Sequence, residues 1–189
     1  MGYSKATAWD RSCRPLWTRT AQVVSWVALY SLRRCSACKT GNTATDEEIT
    51  LQMNLSPSLP LSTGYPAHLE QLVTYLIENA IHAIQNSKQG NEITLQTSAK
   101  DHFLLLQVKD NGPGIASEHL SKVFEPFFTI RESAGEIGLG LAIAQDIVLR
   151  HQGQIDIKSE LGQGTTVRVV LPSRDAINGV STAPGQTQE

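Results

Sequence analysis

Between Pro66 and Ile84 the apolar residues Leu69, Leu72, Val73, Leu76, Ile77, Ala80, Ile81 and Ile84 recur at steps of three and four. That spacing predicts a helix with a continuous apolar stripe, and so wide a stripe must be covered by a second layer. Pro66 suits the first turn, where its missing N–H has no partner to lose. Gln71, Tyr75, Glu78 and His82 fall on the opposite face, Asn79 on its flank, and Gly90-Asn91 is expected to stop the helix.

The covering layer reads as sheet. Ile49, Leu51 and Met53 alternate with polar neighbours, the period of a half-buried strand. Glu92–Ser98 and His102–Lys109 read as two strands on a short polar link. Gln154–Ser159 and Thr165–Leu171 read as two more, joined across Gly162-Gln163-Gly164. A helix is expected from Gly138-Leu139-Gly140 to about Gln152, with Leu141, Ala144, Ile147 and Val148 inward. Another is expected from about Thr18 to Arg34 on Val23, Val24, Val27, Ala28 and Leu32, followed by a loop from Cys35 to Thr45. Short connections between neighbouring strands imply antiparallel pairs. The expected fold is therefore a two-layer α/β sandwich of the α+β kind, a mixed and mostly antiparallel sheet with helices on one face. Residues 1–18 read as a leader or the stub of a preceding domain, 19–172 as the folded domain, and 173–189, rich in Ser, Thr, Gly and Gln, as a disordered tail.

Composition narrows the function classes. The 189 residues carry 16 Lys+Arg against 18 Asp+Glu, too balanced for the clustered cations that neutralise nucleic-acid phosphates. Aromatic residues make up 6%, too few for a base-stacking platform. No run nears the roughly 20 apolar residues a bilayer crossing needs; the most apolar early stretch, Ala21 to Tyr30, is half that and contains Gln22 and Ser25. A cytoplasmic domain without membrane contact is expected. Three cysteines cannot complete an internal disulfide framework. Cys35-x-x-Cys38 lacks the second pair a tetrahedral zinc site needs, which leaves two thiols near a helix end in a reducing compartment.

Four features carry chemistry. Asp110 ends a strand and enters Asn111-Gly112-Pro113-Gly114; a carboxylate there can accept from an exocyclic amine, with Gly112 and Gly114 admitting a flat ligand. An Asx turn explains the same residues. Gly138-Leu139-Gly140 at a helix start offers free N–H groups to phosphate, or is only a tight turn. The amide oxygen of Asn79 can join the oxygen shell that Mg²⁺ requires, or face solvent. Phe124-Glu125-Pro126-Phe127-Phe128, inside a run of nearly thirty irregular residues, suggests an anchored lid or a small satellite core.

Taken in order, Leu76-Ile77-Glu78-Asn79-Ala80, Asp110-Asn111-Gly112-Pro113-Gly114, Phe124-Glu125-Pro126-Phe127-Phe128-Thr129, Gly138-Leu139-Gly140-Leu141 and Gly162-Gln163-Gly164-Thr165-Thr166 resemble the N, G1, F and G2 boxes and the closing Gly-x-Gly-Thr of sensor histidine kinase catalytic domains, in the GHKL ATPase superfamily. The resemblance covers roughly residues 20–172. It implies ATP and Mg²⁺, with Asn79 the metal ligand and Asp110 on the adenine amine. Gly112, Gly114 and Thr165 would stand at the base, Phe128 and the lid 115–137 over it, and Arg131, Gly138, Leu139 and Gly140 at the phosphates. The implied reaction is γ-phosphoryl transfer to a histidine on a separate domain, in cis or in trans, with a response regulator downstream. Glu78 would help to orient that histidine or accept its proton.

Three positions depart from the pattern. Tyr75 stands where superfamily ATPases place a catalytic Glu, so efficient autonomous hydrolysis is not expected. Glu136 replaces the first glycine of the G2 box, and Tyr65 replaces an Asp that would cap the helix. None of His68, His82, His102, His119 and His151 has the setting of a phosphoacceptor; His82 reads as a surface group. Two other readings share these residues: a serine kinase of the anti-sigma type, and a nucleotide-binding regulatory module without catalysis.

Overall fold

The computed structural model describes residues 38–39, 49–60, 64–130 and 137–173. Strands β1 (Cys38–Lys39), β2 (Ile49–Asn54), β3 (Glu92–Lys100), β4 (Phe103–Asp110), β5 (Gln154–Glu160) and β6 (Gly164–Pro172) alternate with helices α1 (Pro66–Ser87), α2 (Ser117–Leu120) and α3 (Gly140–Arg150). The strands form one sheet in the order β1-β2-β3-β4-β6-β5. β1–β2 and β2–β3 are parallel and the other pairs antiparallel, so the mixed sheet follows from helix α1 carrying the chain back between β2 and β3.

The predicted stripe is the centre of the core. Leu72, Val73, Leu76 and Ile77 of α1 are almost fully buried, against Ile93, Leu95, Leu104, Leu106 and Val169 of the sheet and Ala144 and Val148 of α3. Each sheet residue alternates with an outward neighbour, so one sheet face meets both long helices. The expected two-layer sandwich is what forms. Burying each Leu or Ile side chain here contributes about 1.5–3 kcal/mol. Among the described residues no helix is long and apolar enough to cross a membrane.

Several boundaries differ from the sequence reading. Helix α1 stops at Ser87, where Lys88 turns left-handed (φ 54°) and donates its N–H to the Ile84 carbonyl at 2.8 Å. Gly90 is instead part of the turn into β3. That turn is held by Asn111, whose Oδ1 accepts from the N–H groups of Asn91 (2.9 Å) and Glu92 (2.8 Å). His102 is not the first residue of a strand: Asp101 (φ 48°) and His102 (φ 65°) are the two left-handed central residues of the β3–β4 hairpin, the backbone that matches strand twist. Helix α3 ends at Arg150 rather than Gln152. Arg150 donates to Asp146 at 2.7 Å, which raises the guanidinium pKa, but the pair is exposed and screened. Cys38 lies in β1, not in a loop; a two-residue edge strand has no period to read. Of the tail expected at 173–189, Ser173 is buried with its N–H on the His102 carbonyl at 2.7 Å; the rest of it, the expected helix at 18–34, the leader, Arg131 and Glu136 lie outside the described residues.

Tyr65 at the N-cap of α1 makes no side-chain cap, in line with the missing Asp. Its carbonyl accepts from His68 (3.0 Å) and Leu69 (3.2 Å) instead. Leu72→Ala would open a cavity at the contact of α1 with the rest of the core. It should cost about 2–5 kcal/mol, read as a lowered urea midpoint at unchanged slope.

Candidate functional site

The irregular excursion after β4 leaves one end of the helix–sheet interface uncovered, and a cleft opens there. The open space of the cleft, its mouth included, is about 840 Å³. Its inner wall is apolar, formed by Leu76 and Ala80 of α1, Val108 of β4, Ile157 of β5 and Val167 of β6, with Ile115 from the loop. A slot of this kind accepts the face of an aromatic ring. The polar groups stand at two places along it.

The first is Asp110, 5% exposed at the end of β4. Its Oδ1 accepts from the N–H of Gly112 at 2.9 Å and of Thr165 at 3.2 Å. The first bond is an Asx turn, and it fixes the carboxylate at the cleft. Gly112 does not line the cleft and serves through that bond. Gly114 lines it, at φ 71°, and a Cβ there would run into the Glu160 carbonyl of the β5–β6 turn. The glycine is thus required by the close approach of the β5–β6 turn and by its own left-handed backbone.

The second place is the start of α3. Leu139 is the N-cap and offers no side-chain cap, leaving the first N–H groups of the helix without that partner. Gly138 and Gly140 line the cleft beside Asn79. A Cβ on Gly140 would stand 3.3 Å from Nδ2 of Asn79 and 3.5 Å from its Oδ1. Nδ2 of Asn79 is buried and has no hydrogen-bond partner within the protein. A half-turn of the amide exchanges its oxygen and nitrogen without a change of shape, so an oxygen can occupy the same place. Gly112 and Asn79 address successive turns of α1. A Cβ at Gly112 would lie 3.7 Å from Ala83, four residues beyond Asn79, roughly 6 Å further along the axis.

The roof comes from the loop. Phe128 and Thr129 line the cleft, and the Phe128 ring stands 5.8 Å from His119. Phe127 donates its N–H to the Gly138 carbonyl at 2.9 Å, with both residues left-handed (φ 67° and 70°). The loop therefore leaves and returns at one pinned point. Its three phenylalanines do not form one cluster. Phe124 is half-buried, Phe128 faces the cleft, and Phe127 is 70% exposed, because the left-handed turn at Phe127 throws its side chain outward.

Of the residues singled out from sequence, Asn79, Asp110, Gly114, Phe128, Gly138, Gly140 and Thr165 meet at this cleft. Glu78 and Leu139 do not line it, and neither does Tyr75, whose hydroxyl accepts from Gln71 one turn back at 3.1 Å. His82 is exposed, as expected of a surface group. Sequence reasoning missed Ser159, although the alternation Ile155, Ile157, Ser159 places it on the helix-facing side of β5. Its Oγ bonds Ile115, Gly164 and Thr165 behind the cleft.

Residues 64–175 match the family described as histidine kinase-, DNA gyrase B-, and HSP90-like ATPase. The chain belongs to this family. Among curated relatives, a protein of Shewanella frigidimarina (strain NCIMB 400) named as a sensor is 37% identical over 145 residues, 77% of this chain and 22% of that protein. The alginate biosynthesis sensor protein KinB of Pseudomonas aeruginosa is 33% identical over 124 residues, 66% of this chain and 20% of its own length. The sensor protein SrrB of Staphylococcus aureus (strain NCTC 8325 / PS 47) is 41% identical over 109 residues, 55% of this chain and 18% of SrrB. The chain thus spans about a fifth of the length of the curated relatives it matches. Among solved structures, the mycobacterial sensor histidine kinase MprB aligns with a TM-score of 0.63 at 24% identity, over 81% of this chain and 93% of that one. The catalytic domain of histidine kinase ThkA aligns at 0.61 and 21% identity, over 80% and 91%. The fold is that of histidine kinase catalytic domains, and the family is one of ATP users.

Gly140→Ala tests the second polar place. Alanine at the first helical position is at least as good a helix former as glycine, so the melting temperature should hold or rise. The new methyl crowds the Asn79 amide, and ATP affinity by calorimetry should fall about tenfold, the value of one lost hydrogen bond or metal contact.

Proposed function

We propose that this chain is the ATP-binding catalytic part of a two-component sensor histidine kinase. It moves the γ-phosphoryl group of ATP to a histidine on another domain, in cis within a longer protein or in trans, and a response regulator receives the group downstream. The observation that carries the reading is the cleft's polarity: a carboxylate at one end, uncapped helix N–H groups and an unpartnered amide at the other, and an apolar slot between. A nucleotide has the matching order of amino group, flat ring and phosphates. The sensor proteins among the relatives support it, and domain bounds of 19–172 and work in the cytoplasm go with it.

In this reading Asp110 accepts from the adenine amine, and Gly138, Gly140 and the N–H groups of α3 neutralise the phosphates. Arg131 is proposed as a further phosphate contact. Among the described residues no group of three or more His, Cys, Asp or Glu side chains could cage a metal. The donor set fits Mg²⁺ nonetheless, because this ion commonly keeps its waters and takes one or two protein oxygens besides those of the phosphates. Asn79 would be that ligand, and the ion would supply charge neutralisation at the β- and γ-phosphates.

Transfer breaks the bond from the γ-phosphorus to its bridging oxygen and forms a bond from phosphorus to an imidazole nitrogen. Glu78, beside Asn79 but off the cleft wall, is proposed to orient the incoming imidazole or take its proton, which requires the histidine to arrive from outside. Tyr75 has its hydroxyl on Gln71 and no carboxylate to activate water, which favours transfer over hydrolysis.

With terminally labelled ATP and a phosphoacceptor helical domain, the label should appear on the acceptor and be acid-labile. Acid-stable label on a protein substrate would indicate a serine kinase, and tight binding without transfer a regulatory module. Asp110→Asn should abolish binding of adenine nucleotides in calorimetry while the protein still unfolds cooperatively; unchanged affinity would remove the base from this end of the cleft. Asn79→Ala should make ATP affinity independent of Mg²⁺, and full retention of the dependence would put the metal elsewhere.

A further inference from the structure

The network behind Thr165 decides which hydrogen-bonding groups the base end of the cleft can offer. Ser159 Oγ has three partners: the Ile115 N–H at 2.8 Å, the Gly164 carbonyl at 2.8 Å, and Thr165 Oγ1 at 2.9 Å. A serine hydroxyl carries one proton. The N–H can only donate, and the carbonyl can only accept, so the Ser159 proton goes to Gly164. The Thr165 hydroxyl must then give its own proton to Ser159. Thr165 lines the cleft, and with its proton committed to Ser159 it has only lone pairs left for a ligand. Asp110, whose Oδ1 also holds the Thr165 N–H, is an acceptor as a carboxylate. Both polar side chains at this end of the cleft therefore accept and neither donates.

We infer that Ser159 is a positioning residue for base selection: by holding the Thr165 hydroxyl as an acceptor, it makes the cleft favour a purine with an amino edge over one with a keto edge at the same position. This rests on the nucleotide reading above. A 6-amino purine brings donors to the two acceptors. A 6-keto purine sets O6 against them at that position and keeps only N1–H, one atom along the edge, to donate, and a buried acceptor without a donor is costly. Ser159 touches no part of the cleft ligand in this scheme; it acts through Thr165, and through Ile115 it also steadies the loop that carries Gly114.

The test is the ratio of dissociation constants for IDP and ADP, measured by calorimetry with Mg²⁺ on the unmodified chain, Ser159→Ala and Ser159→Thr. In Ser159→Ala the Thr165 hydroxyl loses its acceptor and can turn its proton to the cleft. The ratio should fall about tenfold, the value of one hydrogen bond gained by the keto base. Ser159→Thr keeps the hydroxyl and should keep the ratio of the unmodified chain. An unchanged ratio in Ser159→Ala, or an equal loss of both nucleotides, overturns the inference and leaves Ser159 a packing residue. The nucleotide reading fails separately: Asp110→Asn would then bind ADP as the unmodified chain does, whatever Ser159 does to the ratio.

Discussion

One carboxylate oxygen joins the two parts of the chain from which the cleft is built. Oδ1 of Asp110 takes the N–H of Gly112, which bends the chain away from β4, and the N–H of Thr165, the second residue of β6. The two donors are far apart in sequence and meet because β4 and β6 are neighbours in the sheet. At 5% exposure Asp110 is nearly out of water, and a buried polar group is tolerable only when hydrogen-bond partners replace the lost hydration. Those backbone donors make its position a property of the fold rather than of a flexible side chain.

From that point the division of labour along the cleft follows. The Asp110 end of the cleft is built on strands, and the Thr165 N–H there is taken by Asp110 Oδ1, so the polarity of this end is set by the side chains of Asp110 and Thr165. The opposite end is built on the start of α3, where N–H groups are unpaired by construction of the helix itself. Helix α1 spans both, with Ala83 toward one and Asn79 toward the other. The same residues that bury its stripe therefore set the separation of the two ends. The Phe127 N–H bonds the Gly138 carbonyl just before this helix start, so the roof and this end of the cleft share an anchor.

The periodic parts of the fold were legible in sequence. The stripe of α1, the five strands read from sequence and the inward face of α3 all stand where the residues put them, since burial of one face is a local pattern with a single solution. Ends of elements were less legible. Lys88 and Asp101-His102 take left-handed backbone that composition assigns to glycine or asparagine, because neighbouring hydrogen bonds and hairpin twist outweigh the intrinsic cost. Cys38 joined β1 through pairing with β2, which no local pattern announces. The candidate site was legible as separate motifs, and seven of its residues do meet. Ser159 escaped because a single serine on an alternating strand reads as a tolerated polar residue until its three partners are known.

By itself the sequence determined which faces are apolar, where the chain turns, and that Asn79, Asp110 and the glycines of 138–140 are chemically apt for a nucleotide. Only the tertiary structure decided that these groups face one cleft, that Glu78 and Tyr75 stand off it, and that the Thr165 hydroxyl meets Ser159 at 2.9 Å. The reason is physical. Periodicity reports whether a side chain is in or out, whereas the direction of a hydroxyl proton depends on which donors and acceptors distant strands bring within 3 Å of it.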